Sequence, residues 1–386
     1  MKNDFNKEKI SVKNKFLELI NSLLEKLDNM VKNKKRKQKP VTAAQKHTSH
    51  KQPEQKETQF NLLLSEQEEL PIENASELIV AIEQESIGNK ELNTKLELSF
   101  VELPPQRTIS AEWVVGAASC IGLGHINKNL PCQDNHHIEH WDDQSWWGIA
   151  VCCDGAGSAK KSDQGSEKVA KDYIPQHLKK ELATFRQNNI MPTLEEWQKI
   201  AMHALLESVR CLQQHADEQQ SNLKEFACTV IVVVFTPFGL LQCNIGDGRA
   251  CYRDEKGEWL ALMKPYKPDS GEANVTVFLT SNIWDSPNKA LQYIGFNIVK
   301  NATAFALMSD GCENYMFICS PVDPETGEDL NQPQVTFFEP LYKYVADTKL
   351  TEQEIDENIK RYLENNSKLK KEQDDKTLLL AINCVE

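Results

Sequence analysis

Residues 146–158 read WWGIAVCCDGAGS, and the rest of the chain can be interpreted outward from this stretch. Its first eight residues, through Cys153, form an uncharged apolar run of the length that suits a strand buried on both faces. The run ends at Asp154, which Gly-Ala-Gly follows. Glycine permits close backbone approach and a positive φ, so we expect the aspartate to leave the strand on a tight turn. A carboxylate and a free carbonyl on a rigid strand end suit a hard cation.

Acidic residues lie beside apolar runs at three further places. These are NIGDGR at 244–249, SDG at 309–311 and DDKT at 374–377. A single Asp-Gly pair usually marks only a turn. Four such clusters at the ends of expected strands in one domain instead predict a metal centre.

The charge of the chain is unevenly distributed. Residues 1–60 hold 15 Lys and Arg against 7 Asp and Glu, a balance of +8, whereas all 386 residues together carry −13. The remainder of the chain therefore carries −21. Such an acidic body argues against nucleic acid as the main partner.

The cysteine pattern predicts a protein of a reducing compartment, and the hydropathy of the chain predicts no segment inside a membrane. The 11 cysteines lie mostly in apolar runs, as Cys152, Cys153 and Cys243 do, and none forms a CxxC zinc pattern. No apolar run reaches the roughly 18 residues of a membrane-spanning helix. The N-terminus lacks the uninterrupted apolar segment of a signal peptide. We therefore expect a soluble, cytoplasmic protein with no transmembrane segment.

The composition of the chain divides it into three regions. Residues 1–40 contain a predicted amphipathic helix at 8–31, with apolar residues at spacings of three and four, and a basic run at 32–39. Residues 41–105 are rich in Gln, Glu, Lys, Ser and Pro and read as a low-complexity linker. Residues 106–386 form the folded domain. The helix is expected to dock a partner, and binding to an acidic membrane surface or nucleic acid is the alternative.

Strands and helices alternate in groups within the folded domain. Strands are predicted at 112–118, 136–140, 227–236, 240–245, 250–253, 275–279, 303–308 and 377–384. Helices are predicted at 162–180, where Pro175 limits the end, at 194–219 and at 352–365, and capping boxes start the last two. This pattern favours an α+β fold, a four-layer α-β-β-α sandwich in which two antiparallel sheets lie between helical layers.

The residue types at the acidic clusters predict a particular metal chemistry. Asp154, Asp310 and Asp374 are far apart in sequence, and each adjoins an apolar strand. Gathered by the fold, they form an all-oxygen site with room for water, which suits Mg²⁺ or Mn²⁺ better than Zn²⁺. Two such ions can activate a water and clamp a phosphoryl group during in-line displacement, with no serine or cysteine nucleophile.

The acidic clusters also carry a resemblance to a known family. The segments 154–157, 244–249, 309–311 and 374–377 occur in the order found in the metal-dependent type-2C protein serine/threonine phosphatases. Cys-Gln-Asp at 132–134 resembles the first acidic motif of bacterial members. The resemblance covers about residues 110–386, so it identifies the folded domain as type-2C phosphatase-like and catalytic.

Carried to matching positions, the resemblance implies roles for five residues. Asp154 would bridge two ions, Mn²⁺ or Mg²⁺, and Gly155 would offer its carbonyl to one of them. Asp310 and Asp374 would each hold an ion, and Asp134 would steady ion-bound water. The implied reaction is hydrolysis of phosphoserine or phosphothreonine in a phosphorylated protein, by attack of the water that bridges the ions. The implied partners are this substrate and a cognate serine/threonine kinase.

Two departures from the family pattern leave an alternative open. Ala156 stands where many members have a histidine proposed as proton donor to the leaving alcohol, although bacterial relatives often lack it. The arginine that receives substrate phosphate in animal members has no clear counterpart, with His125 or Lys128 as substitutes. The alternative is a pseudophosphatase that acts as a binding or regulatory module for a kinase or signalling partner. The intact acidic clusters oppose it.

Other polar residues near these clusters have simpler interpretations. Asp247 matches a structural turn, and Asp375 is expected to act as a cap or to support its neighbours. His136, His137 and His140 alternate along an expected strand, a spacing that does not favour a zinc site. A further alternative places the activity of the protein in its N-terminal helix, with the phosphatase domain as cargo.

Overall fold

A computed structural model describes five segments of the chain, at 112–141, 146–266, 276–319, 330–348 and 350–384. The predicted amphipathic helix, the basic run and the linker at 41–105 lie outside the described residues. No helix within the described segments is long and apolar enough to cross a membrane. The ten cysteines whose side chains the structure describes are all free thiols.

The strands form two antiparallel sheets of five strands each and one short pair. In chain order they are β1 (Glu112–Cys120), β2 (Asn135–His140), β3 (Gly148–Cys153), β4 (Val230–Thr236), β5 (Gly239–Ile245), β6 (Arg249–Arg253), β7 (Trp259–Ala261), β8 (Gly295–Lys300), β9 (Ala304–Met308), β10 (Phe317–Ile318), β11 (Gln332–Pro333) and β12 (Lys376–Cys384). The first sheet has the order β1-β12-β9-β6-β7, and the second has the order β2-β3-β4-β5-β8. β10 pairs with β11.

Helices cover the outer face of each sheet. They are α1 (Leu123–Lys128), α2 (Ser162–Lys168), α3 (Ile174–Glu181), α4 (Ala183–Gln187), α5 (Leu194–Glu218), α6 (Pro287–Ala290), α7 (Asp310–Met316), α8 (Val335–Thr348) and α9 (Glu352–Asn365). The second sheet packs against α3 and α5. The first sheet packs against α7, α8 and α9. The capping boxes predicted at Thr193 and Thr351 start α5 and α9.

Three layers of buried apolar side chains hold these elements together. Strand β3 shows how they connect, because Ile149 and Val151 face the helices whereas Ala150 and Cys152 face the other sheet. Trp113 marks the central layer, with its ring 5.7 Å from that of Phe235 and 5.5 Å from that of Phe305. The predicted four-layer sandwich is confirmed. Its central strands are apolar on both faces because both faces are covered.

Two of the secondary-structure predictions were wrong. Pro175 does not limit the helix that begins at Ser162, because a π turn at Val169–Tyr173 leads into α3 and places the proline in the first turn, where a missing N–H costs little. No strand forms among the described residues of 275–279. That segment instead makes single contacts, such as the 2.8 Å bond from the Leu279 N–H to the Cys228 carbonyl.

A glycine in β1 sets how closely α9 can pack on the first sheet. A Cβ added at Gly116 would collide with Ile355 Cγ2 and lie 2.8 Å from Ile355 Cβ. We expect Gly116→Ala to lower the free energy of unfolding by about 1–3 kcal/mol, as overpacking of a core does. The urea midpoint at unchanged m-value measures this. Gly157→Ala is the matched control, since a Cβ added there would lie 4.0 Å from Gln133 Oε1, at ordinary contact distance. An equal loss in both variants would contradict the packing role of Gly116.

Candidate active site

Asp154 directly follows β3 and is held by the segment before β4. Its N–H donates to Thr229 Oγ1 over 3.1 Å, and the Thr229 N–H donates to the Asp154 carbonyl over 2.8 Å. The Ala156 N–H donates to the Ala227 carbonyl over 2.9 Å. These bonds continue the β3–β4 pairing beyond the strands. The Asp154 carboxyl group therefore leaves the sheet from a fixed backbone.

Gly155 allows the segment that carries Asp134 to lie against this turn. A Cβ added at Gly155 would be 2.6 Å from the Gln133 carbonyl oxygen and 2.9 Å from Gln133 Cβ. Positive φ values among the described glycines occur at Gly239, Gly246 and Gly257. Gly155 is not among them, so its lack of a side chain serves close packing.

Asp310 is the first residue of α7, which begins where β9 ends. A Cβ added at the next residue, Gly311, would collide with the Asp375 carbonyl, so this helix start lies tightly against the beginning of β12. Arg249 is fully buried and donates from Nε and Nη2 to Glu313 Oε2 over 2.9 and 2.8 Å, which fixes the same helical turn. The Oδ1 atom of Asp310 is buried and has no hydrogen-bond partner among the described residues.

Asp375 ties three segments of the site together. Its buried carboxylate accepts hydrogen bonds from the Gly122 N–H over 2.6 Å and from the Gln133 N–H over 2.5 Å. These bonds join the start of β12 to the start of α1 and to the loop before β2. Asp374 lies beside Asp375, at the exposed rim of the site. The surrounding protein still covers part of the Asp374 carboxyl group, and this burial is the main cause of its raised pKa.

Asp134 is buried beneath this rim. Thr377 Oγ1 donates to Asp134 Oδ2 over 2.8 Å, and the Ser309 side chain makes a second hydrogen bond to Asp134. Burial raises the pKa of Asp134 to about 7, although the two hydrogen bonds lower it, and the charges of Asp375 and Asp374 raise it further. Burial therefore favours the protonated form of Asp134.

The carboxyl groups of the predicted site residues lie within electrostatic reach of one another. Burial raises the pKa of Asp154 well above its usual value, and the charges of Asp134, Asp310 and Asp374 raise it further. The pKa of Asp310 rises to about 8, mainly through burial and then through the charge of Asp374. The fold thus gathers these four residues, which come from separate parts of the sequence. Their roles toward metal ions stay predictions.

The donor set fits hard divalent cations. In the described segments, no three His, Cys, Asp or Glu side chains converge into a complete ligand set. Mg²⁺ keeps several waters and takes only one or two carboxylates, so a site for such ions need not be closed by protein. The unpartnered Oδ1 of Asp310 and the mutual repulsion at Asp154 are features that bound cations would relieve.

Asp247 lies close to the acidic residues of the site, on the turn that the sequence interpretation treats as structural. Its charge raises the pKa of both Asp154 and Asp310, and its Oδ2 accepts a hydrogen bond from Thr276 Oγ1 over 2.7 Å. Gly246 brings this turn to Asp154, because its φ is +108° and its added Cβ would lie 2.6 Å from Thr229 Cγ2. The signal was present in the NIGDGR segment, whose acidic residue follows a strand as Asp154 does.

The two candidates for the phosphate-binding cation occupy different environments. His125 is buried, with Nδ1 2.9 Å from Asp375 Oδ2, so its ring faces the residue that ties the site together. Lys128 is exposed at the end of α1. His125 therefore helps to position the site.

Comparison with known proteins assigns the chain to a family. A family model described as Protein phosphatase 2C matches residues 121–364, which is more than half of the 386 residues. The chain belongs to the protein phosphatase 2C family. It is accordingly a metal-dependent protein serine/threonine phosphatase, and the pseudophosphatase alternative is not favoured. The matched span ends before Asp374, whose placement at the site comes from the pairing of β12 with β1 and β9.

This member of the protein phosphatase 2C family is similar to phosphatases of several organisms. Serine/threonine-protein phosphatase 3 of Escherichia coli (strain K12) is 28% identical over 280 residues, which span 70% of this chain and 98% of the relative. The serine-threonine phosphatase 2C from Toxoplasma gondii is 11% identical with a TM-score of 0.46, over 72% of this chain and 96% of that one. The catalytic domain of phosphatase PstP, solved with two manganese ions, is 15% identical with a TM-score of 0.39, over 70% and 98%. The family assignment does not depend on these two structures.

The crowding of carboxyl groups makes a prediction for the metal-free protein. An acid whose pKa is raised by folding binds more protons when folded, so its contribution to stability falls as the pH rises from about 4 towards the folded pKa. We expect Asp154→Asn, measured in EDTA at about pH 8, to raise the free energy of unfolding by about 1 kcal/mol or more, since one pKa unit corresponds to about 1.4 kcal/mol. The gain should shrink at about pH 5. Thermal melts at both pH values measure it.

Asp254→Asn is the control for this experiment. Asp254 also sits in a turn, where its Oδ1 accepts from the N–H groups of Lys256 and Glu258 over 2.9 and 2.8 Å, and asparagine keeps that acceptor. This variant should not gain stability at either pH. If Asp154→Asn were no more stable than Asp254→Asn in EDTA, repulsion at Asp154 would be too weak to matter.

Proposed function

We propose that Asp154, Asp310 and Asp374, with the carbonyl of Gly155, hold two divalent cations, Mn²⁺ or Mg²⁺, and that this site hydrolyses phosphoserine and phosphothreonine in a protein substrate. The observation that carries the proposal is the buried Asp154 carboxyl group, whose pKa is raised by burial and by Asp134, Asp310 and Asp374. Gathering like charges from separate segments costs free energy, and bound cations offset that cost.

The chain's own residues have distinct parts in the proposed reaction. Bound cations would supply an acidified water and neutralise charge on the phosphoryl oxygens. Asp134 is oriented by hydrogen bonds from Thr377 and Ser309, and its carboxylate would take a proton from that water. Asp375 holds the segments of Asp134 and Asp374 at a fixed separation through its bonds to Gly122 and Gln133.

The wider setting follows from the same activity. A cognate serine/threonine kinase would make the substrate, and the cytoplasm is the proposed location because the described cysteines are free thiols, as a reducing compartment keeps them. Residues 106–386 would form the catalytic domain. Residues 1–40 would dock a partner through the amphipathic helix, with 41–105 as a linker.

Metal dependence tests the proposed function. The full chain should hydrolyse a phosphothreonine peptide with Mn²⁺ or Mg²⁺, lose at least about 100-fold of that rate in EDTA, and recover it with Mn²⁺ but poorly with Zn²⁺. Asp310→Asn should lose a similar factor at saturating Mn²⁺, whereas Asp254→Asn should keep wild-type turnover. Hydrolysis that survives exhaustive chelation would refute the two-cation site.

Truncation tests the proposed domain boundaries. Residues 106–386 alone should hydrolyse a small phosphoester with kcat within about threefold of the full chain, because the proposed site lies wholly within them. Circular dichroism should first establish that the truncated domain is folded. A folded but inactive domain would show that residues 1–105 help to build the site. Loss of hydrolysis in the domain but retention in residues 1–105 would place the activity in the N-terminal region.

A further inference from the structure

A cavity lies at the seam between the two sheets. It has a volume of about 240 Å³ and is open at the protein surface. It is formed where β1, the edge strand of the first sheet, meets β2, the edge strand of the second, under the start of α9. The lining residues are Val115, Gly116, Ala117, His136, His137, Ile138, Glu352 and Asp356. None of the acidic residues of the proposed catalytic site lines this cavity.

A row of hydroxyl groups leads from this cavity to Asp134. The register of β1 on β12 places Ser119 directly opposite Thr377. Ser119 Oγ lies 2.6 Å from Thr377 Oγ1 and 2.8 Å from His136 Nδ1. Thr377 Oγ1 donates to Asp134 Oδ2 over 2.8 Å. The four side chains thus form one continuous hydrogen-bonded chain from the catalytic site to a histidine in the cavity wall.

The number of protons in this chain fixes the direction of every bond. Each hydroxyl has one proton to donate. When Asp134 is ionised, Thr377 spends its proton on Asp134, so Ser119 must donate to Thr377. Ser119 then has no proton left, and His136 must be the donor at Nδ1. When Asp134 is protonated and donates to Thr377, all three bonds can reverse, and His136 accepts at Nδ1 and carries its proton on Nε2.

We infer that Thr377, Ser119 and His136 form a proton relay between Asp134 and the seam cavity. The inference rests on the proposed function, because it assigns a route to the proton that hydrolysis releases from water. Asp134 takes that proton when the O–H bond of the water breaks. The two hydroxyls then turn, and His136 loses its Nδ1 proton to solvent in the cavity and gains one on Nε2, which gives the reversed chain. Asp134 passes a proton to Thr377 Oγ1, Thr377 passes its own to Ser119 Oγ, and Ser119 passes its own to His136 Nδ1. His136 releases its Nε2 proton to solvent in the cavity, so one proton leaves and no other charge changes.

The surroundings of the two ends suit this transfer. Burial lowers the pKa of His136 to about 4, with smaller effects from Lys171 and His137, so the ring is neutral near pH 7 and can exchange one tautomer for the other. Glu352 and Asp356 line the cavity beside it, and their carboxylate oxygens can accept a proton there. At the other end Asp134 faces Asp374 and Asp375. The side chain of Ala156, in the Asp154 turn, cannot exchange a proton. Proton transfer at this site therefore needs another group, which the relay would supply.

The tautomer of His136 tests the relay without reference to activity. Histidine ¹⁵N NMR on the full chain with Mg²⁺ at about pH 8.5, where Asp134 is ionised, should show His136 protonated at Nδ1. His136→Gln assigns the signal by its disappearance. In Ser119→Ala the ring loses its acceptor, and the Nε2-protonated form should replace the Nδ1-protonated form. A wild-type ring protonated at Nε2, or one unchanged by Ser119→Ala, would overturn the inference.

Turnover gives a second test with matched variants. Ser119→Ala should lower kcat on the phosphothreonine peptide by about 10-fold or more with KM unchanged, in the manner of a lost proton-transfer group. Ser208→Ala is the control, since the buried Ser208 hydroxyl bonds only the Ala204 carbonyl within α5, and it should keep the wild-type kcat. Wild-type kcat in Ser119→Ala would overturn the relay while leaving the phosphatase activity in place. An inactive wild-type chain would instead refute the proposed function itself.

Chemical rescue separates a relay from a merely structural role. His136→Ala should lose a similar factor in kcat and recover it with added imidazole, which can enter the space vacated at the open cavity. Imidazole should not rescue Ser119→Ala, because the break there lies behind the histidine. His137 lines the same cavity but has no hydrogen bond to Ser119. His137→Ala should therefore keep the wild-type kcat. Full kcat in His136→Ala, or a loss that imidazole does not restore, would refute the relay.

Discussion

Repulsion among buried carboxyl groups at the catalytic centre is the constraint that the rest of the structure has to meet. Burial and neighbouring negative charge both raise the pKa of Asp154 and Asp310, so each ionised group opposes folding near neutral pH. Three layers of apolar side chains offset this cost, and fully burying a Leu, Ile or Phe contributes about 1.5–3 kcal/mol. Cations that bound the folded state alone would, by mass action, restore the stability that this repulsion removes.

Backbone contacts, rather than the carboxylates themselves, keep the site assembled. The Asp154 turn is bonded to Thr229 and Ala227, and Asp375 accepts hydrogen bonds from the N–H groups of Gly122 and Gln133. The buried Arg249 holds Glu313 in the helix that Asp310 begins. Each functional carboxylate thus has a separate support that carries no role in chemistry. This division allows like charges to stay close together, because relaxation away from one another would break well-formed hydrogen bonds elsewhere.

The sequence predicted the sandwich and the acidic residues for one physical reason: both depend on local pattern. Apolar runs such as the one ending at Cys153 report burial on two faces, and a carboxylate at the end of such a run is visible without knowing what it meets. The close approach of Gly155 to Gln133, the continuation of the helix through Pro175 and the nearness of Asp247 to Asp154 depend on packing between distant segments. Pattern alone does not contain those distances. Whether Asp134, Asp154, Gly155, Asp310 and Asp374 take the metal and catalytic roles expected of them stays a prediction.

The register of β1 on β12 connects the stability of the fold with the chemistry of the site. Nine residue pairs set that register, and Ser119 faces Thr377 only because the flanking apolar pairs, such as Ala117 with Leu379, are buried in the same ladder. A slip of one residue would turn those apolar side chains outward and separate the two hydroxyls at once. The hydrogen-bonded path between Asp134 and the seam cavity therefore needs no stabilisation of its own. It is maintained by hydrophobic burial that the fold requires in any case, which is how a row of small polar side chains can stay aligned across two sheets.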